Sequence, residues 1–437
     1  MINKLIMVFV CLLVTQSYAQ EGTASPYSFY GIGSLNFKGT VENRSMGGIS
    51  VYNDSIHLNL RNPAAYGGKN LSVYNNESRP IIYSVGGSHS DIKLTSNSGS
   101  DKTSTTTFDY LSFAIPLGKL GVGFGLLPYS SVGYKLENSN SLGNLTQRYR
   151  GQGGVNKTYL SFGYQITNEL SFGATADYNF GTIENSTVEF LYNTNDELLG
   201  YQTREDNRSD LGGLGFNFGA YYTKKISEKL ELQTSLTYSP ETKLRSRNTR
   251  SFSTITLDGL GNENEINTVE SDLASVGLET TNLIIPSKFN IGAGIGEPRK
   301  WFAGVDFTTQ NTSNFSNRLY NYQNVSFENA NTLSLGGFYI PKFNAFSGYF
   351  KRVVYRGGLR FEKTGLKVNN ESIREFGISF GLGLPVGSGK DFFSNANIGF
   401  ELGKRGTTNQ NLIRENFVNL KFSLSLNDRW FQKRKYN

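Results

Sequence analysis

From about residue 71 to residue 427, apolar and polar side chains alternate with a period of two. In Leu170 to Gly181 one side takes Leu170, Phe172, Ala174, Ala176, Tyr178 and Phe180, and the other Ser171, Gly173, Thr175, Asp177, Asn179 and Gly181. The same split recurs in Leu160 to Thr167, Phe376 to Leu384 and Asn419 to Leu426. Such alternation places each set on one face of a β-sheet. It predicts fourteen strands, near 72–95, 105–117, 119–137, 147–167, 169–190, 203–226, 229–246, 277–296, 300–312, 327–341, 347–363, 370–386, 391–404 and 411–427.

The connections carry a second pattern. Those after even-numbered segments are short, as at Leu117-Gly118-Lys119, Thr167-Asn168-Glu169 and Ile226 to Lys229, whereas those after odd-numbered segments are mostly longer and polar. Membrane barrels have short periplasmic turns and longer outer loops, and an even strand number returns both ends to the periplasm. The expected fold is therefore all-β, a transmembrane antiparallel β-barrel of about 14 strands. A chain of small soluble β-domains would need linkers, and no linker marks a boundary. In the segment that ends at Glu362, Arg352, Arg356 and Arg360 fall opposite Val353, Tyr355, Leu359 and Phe361. Charges on the lipid side cost several kcal/mol near the midplane, so these arginines are expected to face the lumen.

The stretch ahead of the strands is different. Ser45 to Tyr66 has no alternation, carries Gly47 and Gly48, and ends in Asn62-Pro63-Ala64-Ala65-Tyr66, whose proline stops regular pairing. The many inward glycines of the strands leave room beside the wall for such a segment. The expected organisation is an N-terminal segment and hatch over 20–70, lodged in the lumen, a barrel over 71–427 and a periplasmic tail over 428–437. Residues 1–19 read as a secretory signal: Lys4 is the charged start, Leu5 to Val14 the apolar middle, and Ser17-Tyr18-Ala19 the cleavage site, so the mature chain begins near Gln20.

Composition removes other classes. The one cysteine, Cys11, lies in the signal, so the exported chain has no disulfide. Mean hydropathy is negative and no later stretch has 18 consecutive apolar residues, which excludes helical spans. Without Lys4 there are 42 basic against 36 acidic residues, scattered along the chain, which gives nucleic-acid binding no support. The only histidines are His57 and His89, and Ser88 and His89, as neighbours on a strand, point to opposite faces. No enzyme activity, metal site or cofactor is expected.

The strand count, and Asn62-Pro63-Ala64 standing just before the first strand, resemble the FadL-type outer-membrane transporters of long-chain fatty acids and other hydrophobic compounds. In that family a hatch ending in Asn-Pro-Ala closes a fourteen-strand barrel. Ser25-Pro26-Tyr27-Ser28 and Gly125-Leu126-Leu127-Pro128-Tyr129-Ser130 are similar to members common in Bacteroidetes, which implies a Gram-negative outer membrane. The resemblance implies a kink in the third strand that opens a side exit to lipid. Pro128 and Gly133 suit that kink, and an ordinary bulge suits them as well.

It also implies capture of ligand on outer loops. Ile266, Val269, Leu273 and Val276 recur at helical spacing in the longest loop, Ser246 to Val276, either as a groove or as packing on the rim. Leu127, Phe302, Phe338, Ile340 and Val354 would line a greasy lumen or pack the hatch. Arg352, Arg356 and Arg360 would steer a carboxylate or pair with acidic neighbours. The function expected is passive uptake of a hydrophobic small molecule by a monomer in outer-membrane lipid. The alternatives are a docking partner of a secretion or gliding complex, and a closed structural barrel.

Overall fold

The computed structural model describes residues 22–35, 38–54, 56–68, 80–315, 324–386 and 394–428. Its main strands are β1 (Ile81–Thr95), β2 (Ser100–Leu117), β3 (Leu120–Ser139), β4 (Leu145–Gln165), β5 (Leu170–Glu189) and β6 (Gln202–Lys225). After them come β7 (Glu231–Ser239), β8 (Thr242–Leu257), β9 (Glu263–Glu270), β10 (Thr280–Ile285), β11 (Lys288–Glu297) and β12 (Trp301–Gln310). The series ends with β13 (Ala330–Tyr339), β14 (Val354–Val368), β15 (Glu371–Val386), β16 (Ser394–Arg405) and β17 (Arg414–Asp428). All are antiparallel, and β17 pairs with β1 from Arg414↔Thr95 to Asp428↔Ile81, which closes the barrel. Two barrel strands are each made of two pieces. Proline has no N–H to give a ladder, and Pro240 parts β7 from β8 as Pro286 parts β10 from β11. Counted so, and with β9 taken as the outer extension of the strand that β10 and β11 form, since β9 and β10 both pair with β8, the wall has the fourteen strands that the alternation predicts. The start of the first, residues 71–79, lies outside the described residues, as do the signal and most of the tail.

The outward face is an apolar belt that includes Phe162, Phe172, Phe216, Leu236, Phe307, Phe380, Phe400 and Phe422, each exposed on the isolated chain. The facing rows are largely Ser, Thr, Asn and Gly. One end of the barrel has tight turns, closed by Ile166 N–H to Leu170 O at 2.9 Å and Ile226 N–H to Leu230 O at 2.9 Å. That end is the periplasmic one by the loop rule. Among the described residues Ile340 to Val353 is a long exception, a loop with a 3-10 turn at Tyr349–Lys351 in which Lys342 N–H donates to Lys351 O at 2.8 Å.

The outer loop over Ser246 to Val276 is not helical. It continues the wall as the β8–β9 hairpin, with Glu263↔Leu257 the pair nearest its turn. The turn decides the outcome: Asp258 accepts from the N–H groups of Leu260 and Asn262, both at 2.8 Å, and Gly261 has φ +80°. Flanking runs of Thr, Ile, Ser and Val favour strands. Ile266 and Val269 stand 60% exposed, while Leu273 is buried, so the four residues share no groove.

Candidate functional site

The N-terminal segment lies inside the barrel and touches most of its wall. It contains 3-10 turns at Pro26–Phe29 and Pro63–Tyr66, a short helix at Val41–Arg44 and a two-residue strand at Ser34–Leu35. Ser25, Thr40 and Asn62 cap the turns and the helix, each accepting from a backbone N–H two or three residues on.

The wall meets the Asn62-Pro63-Ala64-Ala65-Tyr66 turn with a row of glycines. Gly121 pairs with Gly163, Gly163 with Gly173 and Gly173 with Gly219, a straight line across β3, β4, β5 and β6. A Cβ on Gly163 would sit 2.6 Å from Pro63 O, one on Gly173 2.5 Å from Ala64 N, and one on Gly219 2.9 Å from Pro63 Cδ. Asn62 fastens the turn by donating to Ala220 O at 3.1 Å, and Asn217 donates to Arg61 O at 3.2 Å. Across the lumen a second row runs Gly294, Gly304, Gly336 and Gly358. There a Cβ on Gly358 would lie 2.7 Å from Met46 O. Gly47 and Gly48 turn with φ +70° and +88°, and a side chain on Gly47 would meet Leu335 O at 2.7 Å and Leu359 O at 2.6 Å.

The second half of the wall binds the segment by charge. Lys38 donates to Glu362 at 2.7 Å and Glu375 at 2.8 Å, and Arg44 lies 3.5 Å from Glu401 and 3.8 Å from Asp109. Arg360 bridges Glu375 and Glu401, the latter at 2.6 Å; Lys421 pairs with Glu401, and Arg405 with Glu375 at 2.5 Å and Glu415 at 3.7 Å. The wall thus contributes three cations against five carboxylates, and Lys38 and Arg44 bring the balance from −2 to zero. A polar cavity of about 90 Å³ opens beside this network, lined by Arg44, Asp109, Thr107, Ser34 and Glu415 among others. In the segment itself Asp54 accepts from the N–H groups of Ile56 and His57 at 3.0 and 2.7 Å, and from the His57 ring at 2.8 Å. Burial pushes the Asp54 carboxyl up, but His57 and the two N–H groups outweigh it and hold the pKa at about 2.

The residues expected either to line a greasy lumen or to pack the hatch lie in apolar clusters with the N-terminal segment. Phe302, Phe338 and Ile340, with Val354 beside them, close on Met46, Ile49 and Val51. Leu127 joins Val41, Leu58, Tyr66 and Tyr110. A third apolar group, Val132, Val155, Ile183, Leu211, Leu244 and Leu283, encloses Ile32 and Phe29. Arg356 and Arg360 do face inward, where Arg356 donates to Asn397 at 2.9 Å. Arg352 does not. It stands exposed before β14 begins, its guanidinium 5.7 Å from the Tyr349 ring, because the Ile340 to Val353 loop, with its 3-10 turn at Tyr349–Lys351, delays the strand.

At the expected kink the ladder shifts register between Pro128 and Ser130. Pairing of β2 with β3 runs only from Leu111↔Leu126 to Leu117↔Leu120. Beyond it, toward the outer end, Ser34 and Leu35 pair with Ser131 and Ser130 on the β3 edge. The unusual dihedrals fall on Gly153 and Gly154 of β4, φ +103° and +144°, rather than on Gly133. Gly133 instead holds the N-terminal segment, its N–H donating to Ser28 Oγ at 3.1 Å. Sequence reasoning placed Glu362 and Glu401 beside the lumenal arginines but missed the alignment of the glycines into rows, Lys38, Arg44, Glu375 and Glu415. The short Thr167-Asn168-Glu169 turn already sets Gly163 opposite Gly173, so one link of the first row was there to be read.

The sequence model of the BamG family matches residues 1–437. No protein of curated function matches. Among solved structures, the fold is similar to the Ralstonia pickettii toluene transporter TbuX, at 14% identity over 89% of this chain and 98% of that one, with a TM-score of 0.58. A Pseudomonas aeruginosa FadL homologue shares 12% identity over 91% and 100%, with a TM-score of 0.57. The Pseudomonas putida toluene transporter TodX shares 16% over 92% and 100%, with a TM-score of 0.55.

Proposed function

The chain belongs to the BamG family, and from that premise we propose that it is an outer-membrane barrel closed by its own N-terminal hatch, acting as a docking body for a protein machinery of that membrane. One observation carries this reading. The lumen holds a segment seated backbone-to-backbone on glycines and neutralised by buried ion pairs, with a small polar cavity beside them. Such a body offers its rim and its outer hairpins to partners and needs no cargo.

Passage of a hydrophobic compound is the second reading. The separation of β2 from β3 beyond Leu126 favours it, as does the fold shared with proteins titled toluene transporters. That route requires the hatch to move and Phe29 and Ile32 to vacate the apolar group they occupy.

The two part on one preparation. Protein isolated from its own membrane is expected to carry a second protein at fixed stoichiometry and no apolar molecule, by native mass spectrometry with lipid extraction. An apolar compound in the lumen at one per barrel, with hydrocarbon uptake lost on deletion, overturns docking in favour of passage.

A further inference from the structure

We propose that the outward face of β1, β2, β15, β16 and β17 holds a phosphate-bearing glycolipid of the outer leaflet at the upper margin of the apolar belt. The observation is a cationic patch in an unexpected place. Lys404 pairs with Asn416, Asn416 with Lys93 and Lys93 with Lys102, one cross-strand row over β16, β17, β1 and β2. One row further out stand Arg374, opposite Lys363, and Arg414, opposite Thr95.

Direction follows from parity. Lys93, Lys102, Arg374, Lys404 and Arg414 are exposed, and their strand neighbours Ile92, Glu375 and Glu415 are buried in the lumen. Level follows from the rows beneath. Leu402 pairs with Val418, and Phe400 with Leu420, both directly toward the midplane, and Leu402, Val418 and Phe400 are exposed. On β16 and β17 the cations therefore begin where the belt ends, whereas on β1 and β2 the outward rows beneath Lys93 and Lys102 are Asp91 with Ser104 and His89 with Thr106. Cross-strand neighbours lie about 5 Å apart, so the patch is on the order of 20 Å wide, the scale of one multi-acyl lipid.

Nothing among the described residues neutralises it. Lys363 pairs with Glu328 at 2.7 Å, but no ion pair holds Lys93, Lys102, Arg374, Lys404 or Arg414 among the described residues. The nearest outward carboxylate, Asp91, faces His89 at 3.5 Å, and Asp101 turns back to the Lys102 N–H at 2.7 Å. Like charges directly opposite on paired strands destabilise a sheet, and Lys93 faces Lys102 as Lys363 faces Arg374. An anion shared between them removes that repulsion, and guanidinium and ammonium groups are the standard partners of phosphate. The location at the looped, outer end selects the glycolipid of the outer leaflet over a phospholipid of the inner one.

The test uses the full-length barrel in neutral detergent, with lipid A carrying its phosphates, the same glycolipid after dephosphorylation, and phosphatidylglycerol as probes in native mass spectrometry. The wild type is expected to retain phosphorylated lipid A at least tenfold better than either other lipid. The quadruple variant Lys93→Gln, Lys102→Gln, Lys404→Gln, Arg414→Gln is expected to lose that preference. Lipid-free, Lys93→Gln alone is expected to raise the unfolding midpoint, because it removes a like-charge pair. Equal retention of dephosphorylated glycolipid, equal retention by the quadruple variant, or equal affinity for phosphatidylglycerol overturns the assignment. Should the quadruple variant fail to fold, Lys404→Gln alone must still weaken retention, and its failure to do so counts against the site.

Discussion

Gly173→Ala probes how the N-terminal segment is held. Its Cβ would lie 2.5 Å from both Ala64 N and Pro63 O, against the 3.5 Å or more of an ordinary contact. Neither side yields easily, since Gly173 is paired on both edges, with Gly163 and Gly219. The turn over Pro63–Tyr66 must lift, at the roughly 1–3 kcal/mol typical of overpacking. Lifting also strains the Asn62 bond to Ala220 O and the Asn217 bond to Arg61 O, each worth about 0.5–1.5 kcal/mol. Together these give about 2–6 kcal/mol, so the displaced population should rise about 30-fold or more, at about 1.4 kcal/mol per decade.

Trypsin reads that population, because Arg44 and Arg61 become cleavable only when the segment leaves the wall. The control is Gly357→Ala. Its added Cβ meets only Ser379 O, at 3.9 Å, so cleavage should match wild type. Equal cleavage of Gly173→Ala, Gly357→Ala and wild type, with all three folded by heat-modifiable migration, would refute a hatch seated on the glycine row.

Other perturbations address the remaining contacts. Lys38→Met leaves Glu362 and Glu375 short of a cation, and the loss of one partner of a buried pair costs about 3–5 kcal/mol, to be read as a lower unfolding midpoint; adding Glu362→Gln should restore part of it. Asn62→Ala removes the cap on Ala64 N–H and should cost about 0.5–2 kcal/mol, seen as faster trypsin cleavage at Arg61. Asp54 has its pKa lowered from 3.8 to about 2, so its contribution is complete above pH 4 and vanishes as pH falls through 2, a span worth about 2 kcal/mol. The midpoint difference between wild type and Asp54→Asn should therefore shrink between pH 4 and pH 2, and a difference constant over that range would count against the assignment. Ile266→Ser with Val269→Ser, on an exposed hairpin, should leave the unfolding midpoint within about 0.5 kcal/mol of wild type.

The wall was legible because its signal is repeated: each strand has one side in lipid and one in a polar lumen, so alternation survives over hundreds of residues. The place of Asn62-Pro63-Ala64 was legible because a proline after an irregular stretch cannot belong to a ladder. What pairs across the lumen was not. Lys38 meets Glu375 over a separation of 337 residues, and no local pattern encodes such a contact. The greasy residues were ambiguous for a similar reason. Phe302 and Phe338 face inward whether they meet a ligand or Met46, and only the position of the segment decides. The outer loop misled because Ile266, Val269, Leu273 and Val276 fit a helical period, while the stronger signal was the Asp258 to Gly261 turn. Arg352 misled because parity was extended back past the true start of its strand.

The glycine rows also impose an order of events. Synthesis delivers the segment first, yet half of its seat, at Gly336, Gly358, Gly381 and Gly399, arrives near the end of the chain. Ser45 must wait for Gly399 across more than 300 residues, the kind of separation that makes assembly slow. Along both glycine rows the finished wall leaves no room for even a methyl group between itself and the segment. Seating is therefore easiest while the seam between β1 and β17 is still open, and closure of that seam then holds the interior in place.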